Sequence, residues 1–249
     1  MQIASLGSGS KGNATLVRTE KTCVLIDCGF SLPQFKKRAQ KLNFDITDIR
    51  ALLVTHEHSD HGSGVSRLAK QLNIPLWMTV GTAKSLGVEQ YHIIDGSHEI
   101  ELDDLSIRAV TVPHDAAEPV QYIFKHIPSG RKLGVLTDSG HISSFVKQAY
   151  HGVNGLLLEF NYDESMLQNG PYPQYLKKRI SGKQGHLSNI QSMEMLNQLD
   201  TKSLECLIAA HISEKNNSPE IVSHLLQPYA DKFQQVLACQ DNGFEWISI

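Results

Sequence analysis

A short segment of the chain, THEHSDH, crowds three histidines and one aspartate into the six residues 56–61. It ends an apolar run, residues 50–56, whose continuous apolar character predicts a buried strand. A protein core cannot hold this many unpartnered polar groups, because burying each one costs free energy. The segment therefore favours a fold that gathers imidazoles and carboxylates at a strand end, as a metal site does.

The spacing within this segment predicts two adjacent metal positions. In an extended segment His56 and His58 point the same way, while the turn beyond presents Asp60 and His61 to a second position. Imidazole nitrogen with carboxylate oxygen suits Zn or Mn, and Fe is a further candidate. We therefore expect two divalent ions per chain. The alternative is a histidine-rich surface loop without a metal.

Composition narrows the class of protein. The 249 residues are enough to bury a large core, and no apolar run approaches the roughly 18 residues of a membrane span. The start of the chain has no signal-peptide pattern, and the four cysteines have no metal-site spacing, which predicts a cytoplasmic protein with reduced thiols. A net charge of −3 gives no global cationic field, so a nucleic-acid partner requires a local patch.

Apolar runs separated by turn-forming residues predict alternating strands and helices. Strands are predicted over Ile3–Leu6, Ala14–Arg18, Thr22–Asp27, Arg50–His56, Ile107–Val112, Val120–Phe124, Leu133–Thr137, Gly155–Phe160, Leu204–Ala209, Gln234–Ala238 and Phe244–Ile249. Helices are predicted over Leu32–Leu42, Gly64–Leu72, Ser143–Tyr150, Leu187–Leu199 and Pro219–Leu225. Strands followed by alternating strands and helices, twice over, predict two sheets packed face to face with helices outside.

The pattern H-x-H-x-D-H after an apolar strand resembles the metallo-β-lactamase superfamily. This resemblance implies an α/β fold, the αββα sandwich, with two mixed β-sheets packed face to face and helices on both outer faces. It implies one domain over residues 1–249 with two pseudo-repeated halves. It also implies the remaining metal ligands: His114 beside His56 and His58, Asp138 bridging both ions, and His211 beside Asp60 and His61.

Departures from other members of the superfamily exclude some chemistries. His58 stands where di-iron oxidoreductases of the superfamily have Glu, which argues against redox chemistry. Asp138 stands where zinc β-lactamases have Cys, which argues against antibiotic hydrolysis. The interval from Asp138 to His211 is too short for an inserted cap domain.

Within the superfamily the chain resembles the YycJ/WalJ group. The resemblance rests on LGSGSKGNATLV, THEHSDH, PHDAAEP, LEFNYDESML, GHLSN and AHISEKNN, in collinear order. It implies a nuclease-like hydrolase with 5′-to-3′ exonuclease action on DNA. The group usually has N-H-D where this chain has Asn161-Tyr162-Asp163, which leaves the role of Tyr162 open.

The implied chemistry is hydrolysis of a phosphodiester by hydroxide generated on two metals. Asp60 is expected to orient the hydroxide. His186, before a predicted helix, matches a histidine beside the metals of RNase Z-like enzymes, and we expect it to contact phosphate and protonate the leaving oxygen. The alternative for His186 is a helix-capping loop residue.

Several further residues are candidate substrate contacts. The stretch PYPQYLKKRISGKQ interleaves two tyrosines with basic residues, which suits a nucleic-acid strand or, alternatively, a solvated helix face. The Gly/Ser-rich turn 7–13 is either a phosphate nest or an ordinary hairpin turn. Asp115 is expected to orient a ligand histidine. The predicted substrate contacts are Ser10, Asn13, Tyr162, Lys183, Ser188, Asn189 and Ser213, with Asn216 and Asn217 as possible pocket residues.

The leading functional hypothesis is a metal-dependent phosphodiesterase acting on nucleic acid, DNA rather than RNA. The alternative is a small-molecule hydrolase of a thioester, lactone or cyclic phosphodiester, as in glyoxalase II-like enzymes with the same ligands. A non-catalytic binding module is disfavoured because every ligand position is filled. The sequence leaves open the metal identity and the oligomeric state.

Overall fold

A computed structural model describes residues 1–96, 99–199 and 201–249. Its strands are β1 (Gln2–Gly7), β2 (Ala14–Arg18), β3 (Cys23–Ile26), β4 (Ala51–Leu53), β5 (Leu76–Met78), β6 (His92–Ile93), β7 (Glu99–Leu102), β8 (Leu105–Thr111), β9 (Val120–His126), β10 (Lys132–Leu136), β11 (Gly155–Glu159), β12 (Cys206–Ala210), β13 (Gln234–Leu237) and β14 (Phe244–Ser248). Its α-helices are α1 (Leu32–Lys41), α2 (Ser59–Gly62), α3 (Val65–Leu72), α4 (Val80–Leu86), α5 (Ser144–Ala149), α6 (Glu164–Asn169), α7 (Gln174–Ile180), α8 (Asn189–Gln198) and α9 (Pro219–Leu226). None of the helices in these ranges is long and apolar enough to cross a membrane.

The strands form two mixed sheets of similar design. One has the order β14-β1-β2-β3-β4-β5-β6 and the other β13-β12-β11-β10-β9-β8-β7. In each sheet antiparallel pairing gives way to parallel pairing, from β3 to β6 and from β10 to β13. The two sheets thus share one pattern of strand pairing.

Three apolar layers hold the sheets and helices together. The central layer joins both sheets, with residues such as Leu53 of β4 and Tyr122 of β9. One outer layer packs α1 and α3 on the first sheet, and the other packs α5, α8 and α9 on the second. The predicted αββα sandwich is confirmed. Because the central layer is shared, we propose that both halves form one domain.

The middle strands are apolar at every position because both of their faces are covered. In β4, Ala51 and Leu53 face the opposite sheet, whereas Leu52 faces the helices. In β12, Ile208 faces the opposite sheet and Leu207 the helices. This explains why continuous apolar runs identified these strands correctly.

Several boundaries and elements differ from the sequence prediction. The predicted helix 187–199 starts at Asn189, because the Ser188 side chain accepts from the Gln191 amide and caps it. The predicted strand 50–56 ends at Leu53, so the histidine segment, residues 56–61, is not part of a β-strand. The sequence prediction did not identify β5, α4 or α6.

The topology brings the carboxyl ends of β3, β4, β10, β11 and β12 to one edge of the sandwich. Three residues just beyond these ends, Asp27, Asp138 and His211, have φ values of 59°, 52° and 53°. Non-glycine residues rarely adopt this left-handed backbone conformation. Such strain concentrates where the surrounding structure imposes it, which is often a functional site.

Tyr122 fastens the start of the histidine segment to the opposite sheet. Its buried hydroxyl donates a hydrogen bond of 2.7 Å to the Val54 carbonyl oxygen. Beside it, the Val120 amide donates to the Thr55 carbonyl oxygen at 3.0 Å. The two bonds hold the start of the histidine segment in a fixed position relative to the second sheet.

We expect Tyr122→Phe to lower the free energy of unfolding by about 1 to 3 kcal/mol, because it leaves a buried carbonyl without its donor. Urea denaturation followed by circular dichroism measures the change. Tyr175→Phe is the control, since Tyr175 is 75% exposed, and should stay within about 0.5 kcal/mol of wild type. If both variants had equal free energies of unfolding, the proposed stabilisation by the Tyr122 hydroxyl would be contradicted.

Candidate metal centre

Three histidines from two segments converge at the first position. His56 Nε2 lies 3.1 Å from His58 Nδ1, and His58 Nδ1 lies 3.2 Å from His114 Nε2. His56 and His58 follow β4, and His114 follows β8. Nitrogens this close on three separate rings form a set that could hold a cation.

A second set lies beside the first. His61 Nε2 is 3.5 Å and His211 Nε2 is 3.8 Å from the Asp60 carboxylate. Asp138 Oδ2 is 3.2 Å from His61 Nε2. Asp138 also groups with His56, so its carboxylate lies between the two sets. All seven residues predicted as metal ligands are thus brought together.

Two buried atoms of this cluster make no hydrogen bond of good geometry among the described residues: His211 Nε2, and Asp138 Oδ2 despite its 3.2 Å distance from His61 Nε2. Unpartnered polar atoms in a buried site are costly. Both are of the kinds that divalent transition metals bind, carboxylate oxygen and imidazole nitrogen. The residues present therefore fit a divalent metal.

Asp27 and Thr55 fix the orientation of two of the histidines. His61 Nδ1 donates to Asp27 Oδ2 at 2.7 Å. His56 Nδ1 donates to the Thr55 hydroxyl at 2.9 Å, and that hydroxyl donates to Asp27 at 2.7 Å. With Nδ1 as the donor in both rings, Nε2 is the nitrogen that each ring would offer to a cation.

Glu159 fixes two more rings from inside the second sheet. Its fully buried carboxylate lies 3.0 Å from His211 Nδ1 and 2.8 Å from His186 Nδ1. His114 Nδ1 donates instead to the Gly185 carbonyl oxygen at 2.9 Å. His186 thus lies at the edge of the cluster with its Nδ1 occupied.

The carboxylates divide the histidines into two electrostatic classes. Burial lowers the pKa of His56 well below its usual value and also lowers the pKa of His114. Burial opposes protonation of His211 too, but Asp138, Asp60 and Glu159 outweigh it and raise the pKa of His211 to about 10. By the same balance, Glu159 and Asp138 raise the pKa of His186 to about 9.

Asp27 and Glu159 were not identified from the sequence as functional residues. Each is an acidic residue within or directly after an apolar strand, CVLID and LLLE. That placement was a usable signal, because a buried carboxylate requires a partner. The sequence could not show that the partners are histidines distant along the chain.

A cavity of about 370 Å³ opens over the cluster. Its wall includes α7, which contributes Leu176, Arg179 and Ile180. The Arg179 Nε donates to Asp115 at 2.5 Å, and Asp115 lies 3.8 Å from His58 Nε2. The predicted residues that line the cavity are His58, Asp60, Asp138, His186, His211, Ser10, Ser213, Asn216, Asp115, Tyr172 and Arg179.

Other predicted substrate contacts lie outside the cavity lining. Tyr162 is buried, and burial raises its pKa to about 12. Ser188 caps α8, and Asn189 exchanges two hydrogen bonds with Asn217, at 3.0 and 2.8 Å. Lys183 is exposed. These positions have structural or solvent-exposed surroundings, so the geometry gives no support to the substrate contacts predicted for them.

The Gly/Ser-rich turn is a hairpin turn with several amides already bonded within the protein, so the geometry gives no support to a phosphate nest. The Gly9 amide donates to Asn13 Oδ1, and the Lys11 amide donates to Gln240 Oε1 at 2.7 Å. The predicted contact Asn13 acts within the cluster, since its Nδ2 lies 3.0 Å from His61 Nε2. Only Ser10 of this turn lines the cavity.

Two proteins with curated names are similar to most of the chain. Exodeoxyribonuclease YycJ of Bacillus anthracis is 31% identical over 228 residues, which cover 89% of this chain and 86% of that protein. Exodeoxyribonuclease WalJ of Streptococcus pneumoniae is 32% identical over 225 residues, which cover 87% of this chain and 83% of that protein.

The fold and the family agree with these similarities. The structure of Zn(2+)-bound PqqB from Methylobacterium extorquens superimposes with a TM-score of 0.74 and 15% identity, covering 100% of both chains. The family model described as a beta-lactamase superfamily domain matches residues 22–212, most of the chain. This chain therefore belongs to the metallo-β-lactamase superfamily of hydrolases.

Proposed function

We propose that this hydrolase is a dinuclear metal-dependent phosphodiesterase that degrades DNA in the 5′-to-3′ direction. The observation that carries the proposal is the cavity over the cluster, which combines metal-binding side chains with His186 and Arg179. The two similar proteins named exodeoxyribonucleases support DNA as the substrate.

Seven side chains would hold two ions, with Zn or Mn as the expected metals and Fe as a further candidate. The first would be held by His56, His58 and His114, the second by Asp60, His61 and His211, and both by Asp138. Bound there, divalent cations neutralise phosphodiester charge and make water a better nucleophile near neutral pH. Asp60, at the cavity wall, orients the attacking water.

His186 is the proton donor to the leaving oxygen. Its Nδ1 is held by Glu159 at 2.8 Å and lies 3.3 Å from Asp138, which leaves Nε2 as the ring atom that can reach substrate. The pKa of about 9 keeps the ring protonated near neutral pH. A proton on Nε2 is therefore available when the phosphorus–oxygen bond breaks.

Arg179 binds a non-bridging phosphate oxygen. Its Nε is committed to Asp115, and no hydrogen bond to its two terminal nitrogens is found in the described ranges. A planar guanidinium offers paired donors that match phosphate geometry. Arg179 thus supplies the local positive charge that a chain with a net charge of −3 needs for an anionic substrate.

Three substrates test the proposal directly. The purified protein is incubated with Zn or Mn and with a 5′-phosphorylated DNA duplex, bis-p-nitrophenyl phosphate, or a glutathione thioester. We expect release of nucleotides from the DNA 5′ end and cleavage of the model phosphodiester. Cleavage of the thioester alone would instead indicate the small-molecule hydrolase, and cleavage of the model phosphodiester without release of nucleotides from DNA would overturn the DNA assignment.

We expect His186→Ala to reduce kcat on DNA by about 10² to 10⁴ while metal content stays close to wild type. The loss should be smaller on bis-p-nitrophenyl phosphate, whose leaving group needs little protonation. His141→Ala is the control, because His141 is exposed and does not line the cavity. Equal losses on both substrates, or loss of metal, would contradict the proton-donor role.

We expect Arg179→Met to raise KM for DNA about tenfold, because a charge-assisted hydrogen bond to phosphate is lost. Steady-state kinetics at fixed ionic strength measures the change. Lys178→Met is the control, because it removes the same charge from the preceding residue of α7, which is exposed and lies outside the cavity lining. If the two variants raise KM equally, the effect is one of general charge and the phosphate contact is refuted.

Metal uptake should release protons, because the pKa of His211, raised to about 10, keeps this ring protonated at pH 8, and the pKa of His61 is raised as well. We expect at least one proton to be displaced per chain. Titration calorimetry with Zn in buffers of different ionisation enthalpy measures this number. Metal affinity should fall as the pH is lowered from 8, and an affinity independent of pH would contradict the assignment of these ligands.

A further inference from the structure

The helix α7 is built into the site rather than resting on the surface. The His186 amide donates to the Ile180 carbonyl oxygen at 2.9 Å, and the Asp115 amide donates to the Gln184 carbonyl oxygen at 2.9 Å. A side chain on Gly185 would meet the Ile180 carbonyl oxygen at 2.1 Å, so this approach requires glycine. The end of α7 is therefore fixed to the segments that carry His186 and Asp115.

The two faces of α7 differ in chemistry. Leu176, Arg179 and Ile180 line the cavity at helical spacing, and Tyr172 joins them from just before the helix. The outward side presents Tyr175, whose side chain is 75% exposed. The inner wall thus combines one aromatic ring and two aliphatic side chains with a single guanidinium.

This wall and the carboxylates and imidazoles of the cluster line the same cavity. The phosphate contact proposed for Arg179 places a substrate phosphate between the wall and His186. A ring and aliphatic side chains beyond that contact offer an apolar surface, and the sugar and base are what a nucleotide would place there. Stacking on an aromatic side chain suits any base, since every base has a π-face.

We infer that Tyr172, with Leu176 and Ile180, forms a base-binding subsite for one unpaired nucleotide at the attacked end of the strand. The inference rests on the proposed phosphodiesterase function and specifies its substrate. A cavity of about 370 Å³ lies near the lower end of the range for small-ligand sites. It is suited to one nucleotide rather than a base pair, so the terminal nucleotide separates from its partner strand before cleavage.

The test compares single-stranded 5′-phosphorylated oligonucleotides that end in thymidine or in an abasic tetrahydrofuran unit. Wild type should have a kcat/KM about tenfold higher on the thymidine substrate, a ratio within the range for one stacked base. Tyr172→Ala should bring the ratio close to one, and Tyr172→Phe should restore it. Tyr175→Ala is the matched control and should keep the wild-type ratio.

The outcomes separate the inference from the function on which it rests. If wild type cleaves DNA but does not distinguish the two substrates, or if Tyr172→Ala keeps the ratio, the subsite is refuted and the phosphodiesterase stands. If wild type cleaves neither oligonucleotide, the proposed function itself fails. Circular dichroism and metal content show that each variant is folded, and Tyr172→Phe provides the measurement should Tyr172→Ala fail to fold.

A second measurement compares the degradation rates of DNA duplexes that differ in base pairing at the attacked 5′ end. A duplex whose 5′ end is closed by G·C pairs should be degraded more slowly than the same duplex with an unpaired 5′ end, because its terminal nucleotide must first separate. Equal initial rates would refute the requirement for an unpaired nucleotide.

Discussion

Three carboxylates, Asp27, Asp138 and Glu159, are almost fully buried at one edge of the sandwich, and the site depends on how they are paired. Removing a carboxylate from water without partners costs several kcal/mol. Here each carboxylate contacts a histidine: Asp27 and Asp138 contact His61, and Glu159 contacts His186. The same contacts that make burial tolerable also set the orientation of the rings that face the cavity.

This pairing explains why the site is assembled at strand ends. A strand places its last side chains with little freedom, because the ladder on both sides fixes the backbone. The chain then turns through the left-handed conformation at Asp138 and His211, which aims both side chains into the cluster. Strain at these two residues is tolerated because hydrogen bonds and packing on both sides fix the conformation.

The sequence was sufficient for the parts of the site with a local pattern. The crowding in THEHSDH predicted the ligands of the histidine-rich segment, and the resemblance to the metallo-β-lactamase superfamily implied His114, Asp138 and His211, which the fold brings together with them. The sandwich was predictable because strands buried on both faces are apolar throughout. Glu159 could not be assigned in this way, since its partners, His186 and His211, lie 27 and 52 positions away in the sequence.

The substrate contacts were harder to predict because composition does not specify which way a helix faces. The stretch around α7 contains two tyrosines and several basic residues. Their order in the sequence does not indicate which of them contact the substrate. The orientation is set by Gly185, which packs against the last turn of α7 and whose carbonyl oxygen accepts a hydrogen bond from His114 Nδ1. That contact turns Tyr172 and Arg179 inward and leaves Tyr175 outside. Because one residue joins the helix to a histidine of the first metal position, the wall that would bind substrate and the cluster that would bind metal share a rigid connection. A change at Gly185 would therefore disturb both together, whereas a change at Tyr172 is confined to the wall.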